Sequence, residues 1–165
     1  MTLPSANPRI VESLYAEALA LADDARERFG QLRQQQADQQ ARQDDEDLAS
    51  VKARCEALRT TTRIMHCLAW LLNRRAWFAG ELTEQQLRRH GRLIAHFPAS
   101  DPAAVSEFSP AVQRVVHASE RLYERIGRLD EAWQRWPGPS PEQAGASPTI
   151  TRLRERLVQA MARAG

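Results

Sequence analysis

Residues 48–79 read as one long helix with two apolar stripes on opposite sides. The first stripe recurs at heptad spacing: Leu48, Val51, Cys55, Leu58, Thr62, Met65, Ala69, Leu72, Ala76 and Ala79. The second holds Ile64, Leu71 and Phe78, seven residues apart, with Leu68, Trp70 and Trp77 beside them. A surface helix of a soluble bundle needs only one apolar stripe facing its core. Two stripes imply cover on both sides, and so contacts beyond the helix's own small bundle.

The other segments follow the same helical periodicity. Asn7 is a good N-cap and Pro8 suits the first helical position. Val11, Leu14, Ala18, Leu21, Ala25, Phe29 and Leu32 make one face of the first helix, which ends at Gly30 or runs on into Gln34–Gln36. Residues 31–47 are rich in Gln and then in Asp and Glu, with too little apolar surface to bury a face. They read as a polar insert, a loop or a frayed helix. Gly80 stops the two-striped helix. Thr83 and Gln86 have capping-box spacing, and Leu82 with Leu87 has the spacing of a hydrophobic staple. The short helix they open carries Leu87, Leu93 and Ile94 and ends before Pro98.

Residues 96–109 read as a linker. Ser109 and Pro110 then open a helix whose heptad seam is Val112, Val115, Ser119, Leu122, Ile126, Leu129, Trp133 and Trp136. Residues 137–148 are a Pro/Gly-rich connector. Residues 149–165 form a basic amphipathic tail helix with Ile150, Leu153, Leu157, Val158 and Met161 on one face, proposed to dock on the bundle or on a partner. At about 15 residues such a helix is marginal alone. No segment alternates with period two, so strand signals are absent. The expected fold is all-α: an antiparallel three-helix bundle over residues 1–136 with a short extra helix, dimerising.

Composition narrows the function. The 165 residues are 42% hydrophobic and 27% charged, with a formal net charge of +2, so no field of one sign steers the chain to nucleic acid. Cys55 and Cys67 lie about 18 Å apart along one helix, too far for a disulfide, and two unpaired thiols suit a reducing cytoplasm. Residues 1–9 have no apolar run of signal-peptide length, and no stretch is long enough to span a membrane. The expected location is the cytoplasm.

The residues offer little chemistry. His66, His90, His96 and His117 form no close pair with one another, and His66 points along a different radius from Cys67, so no metal or cofactor is expected. His117 could accept phosphate on a helical surface, but Ala118, Ser119, Glu120 and Arg121 follow it, without the usual lysine and glycine. Arg74, Arg75, Arg88, Arg89 and Arg92 make a basic set without helix-turn-helix spacing. A DNA-associated or transcriptional regulatory role using this set and the basic tail is the alternative reading. Glu81, Glu84 and Glu107 show no spacing that suggests an acid–base pair, and no enzyme is expected. Three large aromatics, Trp70, Trp77 and Phe78, together bury about 450–750 Å², more than the short helix offers to cover. Ile64, Leu68, Trp70, Leu71, Trp77 and Phe78 are therefore the expected dimer or partner interface.

Two segments carry a resemblance. Residues 58–83, LRTTTRIMHCLAWLLNRRAWFAGELT, and residues 117–132, HASERLYERIGRLDEA, resemble the family of the alphaproteobacterial regulator of CtrA degradation. The first match includes Thr61, Thr62, Arg63, Met65, Trp70, Leu71, Leu72, Arg75, Ala76, Gly80 and Glu81. The second includes Ser119, Leu122, Tyr123, Arg125, Leu129 and Asp130. The resemblance implies a dimeric helical adaptor without a cofactor. Its implied partners are ClpX, a response-regulator-like component and the cell-cycle substrates of the ClpXP protease; the short apolar runs noted above add no membrane to these.

Overall fold

The computed structural model describes residues 7–40 and 48–135, and every regular element among them is a helix. These are α1 (Pro8–Gln40), α2 (Leu48–Phe78), α3 (Glu84–His90), α4 (Pro102–Ser106) and α5 (Pro110–Gln134). One compact unit runs Met1–Trp133 and a second runs Gln134–Gly165. The connector at 137–148, the tail helix at 149–165 with Ile150, Leu153, Leu157, Val158 and Met161, and Trp136 all lie outside the described residues.

Local chemistry sets most helix ends. The Asn7 side chain accepts the Arg9 N–H at 2.9 Å, as an N-cap should. Gly30 does not stop α1. The polar stretch at 31–40 is helical and mostly exposed, held by i,i+4 side-chain bonds such as Gln34 to Asp38 at 3.1 Å. Gly80, at φ +76°, ends α2. The Gly80 N–H bonds Trp77 C=O and the Glu81 N–H bonds Ala76 C=O, the paired closure that a left-handed glycine allows. Thr83 and Gln86 make both halves of the capping box that opens α3. Within the expected linker, Asp101 caps a short α4 by accepting the Ala103 N–H at 3.0 Å, with Pro102 at its first position.

Side chains of α1, α2 and α5, with Val105 of α4, meet in two apolar clusters. Val11, Leu14, Ala18, Cys67, Trp70, Leu71, Leu122 and Ile126 form one. Ala25, Phe29, Ile64, Val105, Val112, Val115 and Val116 form the other. The heptad seam of α5 faces inward as its spacing predicts, with Val112, Val115, Ser119, Leu122, Ile126 and Trp133 buried.

Helix direction departs from the expected antiparallel layout. α1 does oppose α2: Glu12, near the start of α1, pairs with Arg75, near the end of α2, at 2.7 Å. α5 runs the same way as α2. Arg63 bonds Ser119 and Arg74 bonds Asp130, both 56 residues apart, and Trp77 meets Trp133 edge to face. The crossing at 79–109, with α3 and α4, carries the chain back along the full length of α2. Medium-length linkers suggested a simple up-and-down path. The crossing is instead structured and packs its own residues, Leu87 and Val105, into the interior.

Candidate docking surfaces

The large aromatics of α2 face their own chain. Trp70 is 2% exposed, and Ile64 and Leu71 are likewise buried. Leu68, Trp77 and Phe78 are half-buried and pack at the edge of the same interior. Trp77 meets Phe78 and Trp133 edge to face, at centroid distances of 4.8 and 5.0 Å. The expected partner interface at Ile64, Leu68, Trp70, Leu71, Trp77 and Phe78 is thus the inward side of α2. The reason is coverage: besides α3, residues from both α1 and α5 close over the rings.

Buried charge fills the rest of that side. Arg74 lies between the indoles of Trp70 and Trp133, 4.4 and 4.7 Å from their centroids. It donates to Asp130 at 3.1 Å and to Gly91 C=O at 3.1 Å. Trp70 donates its indole N–H to the same Asp130 oxygen at 2.7 Å. Burial lowers the Arg74 pKa to about 10, against the opposing pull of Asp130.

About three turns toward the N-terminus, Arg63 donates to Ser119 at 2.7 Å, Ser100 at 3.2 Å and Pro98 C=O at 3.3 Å. Ser100 donates in turn to Glu56, which also accepts from Thr60 and Arg59. Burial also lowers the Arg63 pKa, with Glu120 and Glu56 opposing it. These groups satisfy one another in the interior, as buried polar groups must, and they tie α2, the crossing and α5 together. The sequence reading missed them, because a stripe of Glu56, Thr60, Arg63, Cys67, Trp70 and Arg74 has heptad spacing but mixed polarity.

The heptad stripe is the wet side of α2. Leu48 is 67% exposed, Leu58 69%, Met65 66%, Leu72 47% and Val51 40%. Cys55, Ala69 and Ala79 are exposed between them, and Thr62 and Ala76 are partly so. Among the described residues nothing covers this seam. Toward its N-terminal half, α1 and α2 leave a groove of about 430 Å³ that Phe29, Leu32, Ala57 and Leu58 help to line.

Other candidates are dispersed. His117 is exposed and bonded to Glu120 at 3.3 Å. Arg75 pairs with Glu12 and Arg88 with Glu84, which divides the basic set. No group of three metal-ligating side chains occurs among the described residues, and no described helix is long and apolar enough to cross a membrane.

Residues 3–161 match the family described as "Protein of unknown function (DUF1465)". The chain belongs to the DUF1465 family. No curated protein and no solved structure matches it. Within this DUF1465 chain, Arg63, Trp70, Ser119 and Asp130, which carry much of the sequence resemblance described above, are paired with one another in the interior. Met65 and Leu72, from the same matched segment, stand on the wet stripe.

Proposed function

We propose that the chain is a noncatalytic, homodimeric adaptor on a three-helix scaffold. It links cell-cycle substrates to the ClpXP protease through a response-regulator-like partner. The observation that carries this reading is the exposed apolar stripe of α2. Contiguous exposed apolar surface on a soluble chain marks a contact site, and here it lies on a rigid helix braced from behind by buried ion pairs. The likeness of residues 58–83 and 117–132 to the regulator of CtrA degradation supports the protease assignment.

Such a role needs docking faces and no reacting groups. The mechanism is tethering: holding a substrate beside the protease raises its effective concentration to about the millimolar range for a short flexible link. The test is co-purification with immobilised ClpX and a receiver-domain partner, with and without ATP. Retention that depends on the receiver domain supports the reading. Failure to bind in every nucleotide state contradicts it.

A further inference from the structure

We infer that the exposed stripe of α2 pairs with the same stripe of a second copy, antiparallel, with the two-fold axis between positions 63 and 64. In that register the facing positions sum to 127. Leu48 then meets Ala79 of the second copy, Val51 meets Ala76, Cys55 meets Leu72, Leu58 meets Ala69 and Thr62 meets Met65. Every facing pair sets a large side chain against a small one. Layers of that kind interdigitate at even spacing and let two helices approach to the short end of the 8–10 Å range. A parallel pairing would stack Leu58, Met65 and Leu72 on themselves and leave Ala69 and Ala76 facing their own copies across gaps. The sequence of large and small residues therefore selects one orientation.

Length and area fit a second copy. From Leu48 to Ala79 the stripe runs about 47 Å, more than four heptads, and apolar heptads sustained over three or four argue a coiled coil. A strip of that length and about 10–12 Å wide on each copy totals about 1,000 Å², the threshold for a specific interface. The chain's own tail segment, 149–165, suits it less. Even wholly helical, its 17 residues would cover about 26 Å, little more than half the stripe.

Charge does not oppose a second copy. The stripe is bordered by Lys52, Arg54, Arg59 and Arg75. In the antiparallel pair the border is largely answered in place. Lys52 keeps Glu107, Arg59 keeps Glu56 and Arg75 keeps Glu12, and the Arg75–Glu12 pair of one copy arrives beside Arg54 of the other.

This inference deepens the dimeric part of the reading above and is independent of protease delivery. Light scattering at tens of micromolar should give twice 18.7 kDa for the full chain, and Leu58→Glu with Met65→Glu should give 18.7 kDa with unchanged helicity. Leu72→Cys should form a covalent dimer under mild oxidation, joining Cys55 of one copy to the cysteine placed at position 72 of the other. Adding Cys55→Ser should abolish that product. The wild type should not cross-link, because Cys55 faces Leu72. A monomeric wild type, or a dimer that survives the double glutamate change, overturns the pairing. A wild-type cross-link through Cys55 without one in Leu72→Cys overturns the antiparallel register. ClpX binding retained by a monomeric wild type would overturn the dimer and leave the adaptor role standing.

Discussion

Arg74 stacks on Trp70, its guanidinium carbon 4.4 Å from the ring centroid, while both donate to one carboxylate oxygen of Asp130. Two residues a single helical turn apart on α2 thereby converge on one acceptor in α5. The charge is fully desolvated, so its worth lies in what happens when it is broken. Removing one partner of a buried ion pair typically costs about 3–5 kcal/mol, because the other charge stays behind uncompensated. Asp130→Ala should lose about that much in urea denaturation. Replacing Asp130 by Asn, which keeps an acceptor for Trp70, should lose less.

The two sides of α2 should respond oppositely to substitution. Trp70→Ala empties a buried site and should cost about 3–5 kcal/mol. Met65→Glu, on the wet side, should change monomer stability by less than about 0.5 kcal/mol. Thermal melts of both variants in the Leu58→Glu background, where pairing is removed, make the comparison direct.

Ser119 accepts from Arg63 and donates to Val116 C=O at 2.6 Å. Ser119→Ala leaves a buried guanidinium short of one acceptor, which should cost about 1–3 kcal/mol. Arg63→Ala should cost more, since Ser119, Ser100 and Pro98 C=O then lose their donor together and Glu120 loses its cation. The ordering of the two urea midpoints checks it.

Gly91 caps α3 at the point where Arg74 arrives. A Cβ there would lie 2.6 Å from Leu87 C=O and 2.7 Å from an Arg74 nitrogen. Gly91→Ala should therefore destabilise by about 1–3 kcal/mol, as overpacking does, and should blue-shift or broaden the Trp70 and Trp133 emission as Arg74 is displaced.

The two thiols should separate by reagent and by pH. Cys67 is buried, and burial raises its pKa to about 12 from 9.0. At pH 8 a maleimide should label Cys55 of the Leu58→Glu, Met65→Glu variant rapidly and reach Cys67 only on unfolding. The folded state holds the Cys67 proton that the unfolded chain releases. Its contribution to stability is therefore full below about pH 9 and lost as pH rises toward about 12. The urea midpoint of the parent should fall more steeply above pH 9 than that of Cys67→Ala.

The helices themselves were legible in sequence. Asn7, Gly80, Thr83 with Gln86, and Ser109 with Pro110 mark ends that the structure keeps, because capping is local chemistry. The α5 seam was legible too, because one apolar stripe stands alone on that helix. α2 misled because it has two, and spacing cannot say which turns inward. The heptad stripe is made of Leu, Met and Ala, whereas the inward side carries the indoles, and burying those removes more apolar area. The polar half of that inward side was invisible to hydrophobicity. Glu56, Arg63 and Arg74 are buried only because Ser100, Ser119 and Asp130 wait for them across the fold. The direction of α5 depended on those same long-range pairs, and the helix at 102–106 was hidden inside a segment read as a linker.

On the proposed pairing, the heptad stripe of α2 is the face that meets a second copy. Met65 stands at the middle of that stripe, beside the proposed axis, and it is 66% exposed in a single copy. The direct measurement is its oxidation by dilute peroxide, followed by mass spectrometry from nanomolar to tens of micromolar protein. Protection that grows with concentration, and that Leu58→Glu abolishes, is the predicted result. A rate of Met65 oxidation that stays the same across that range would contradict it.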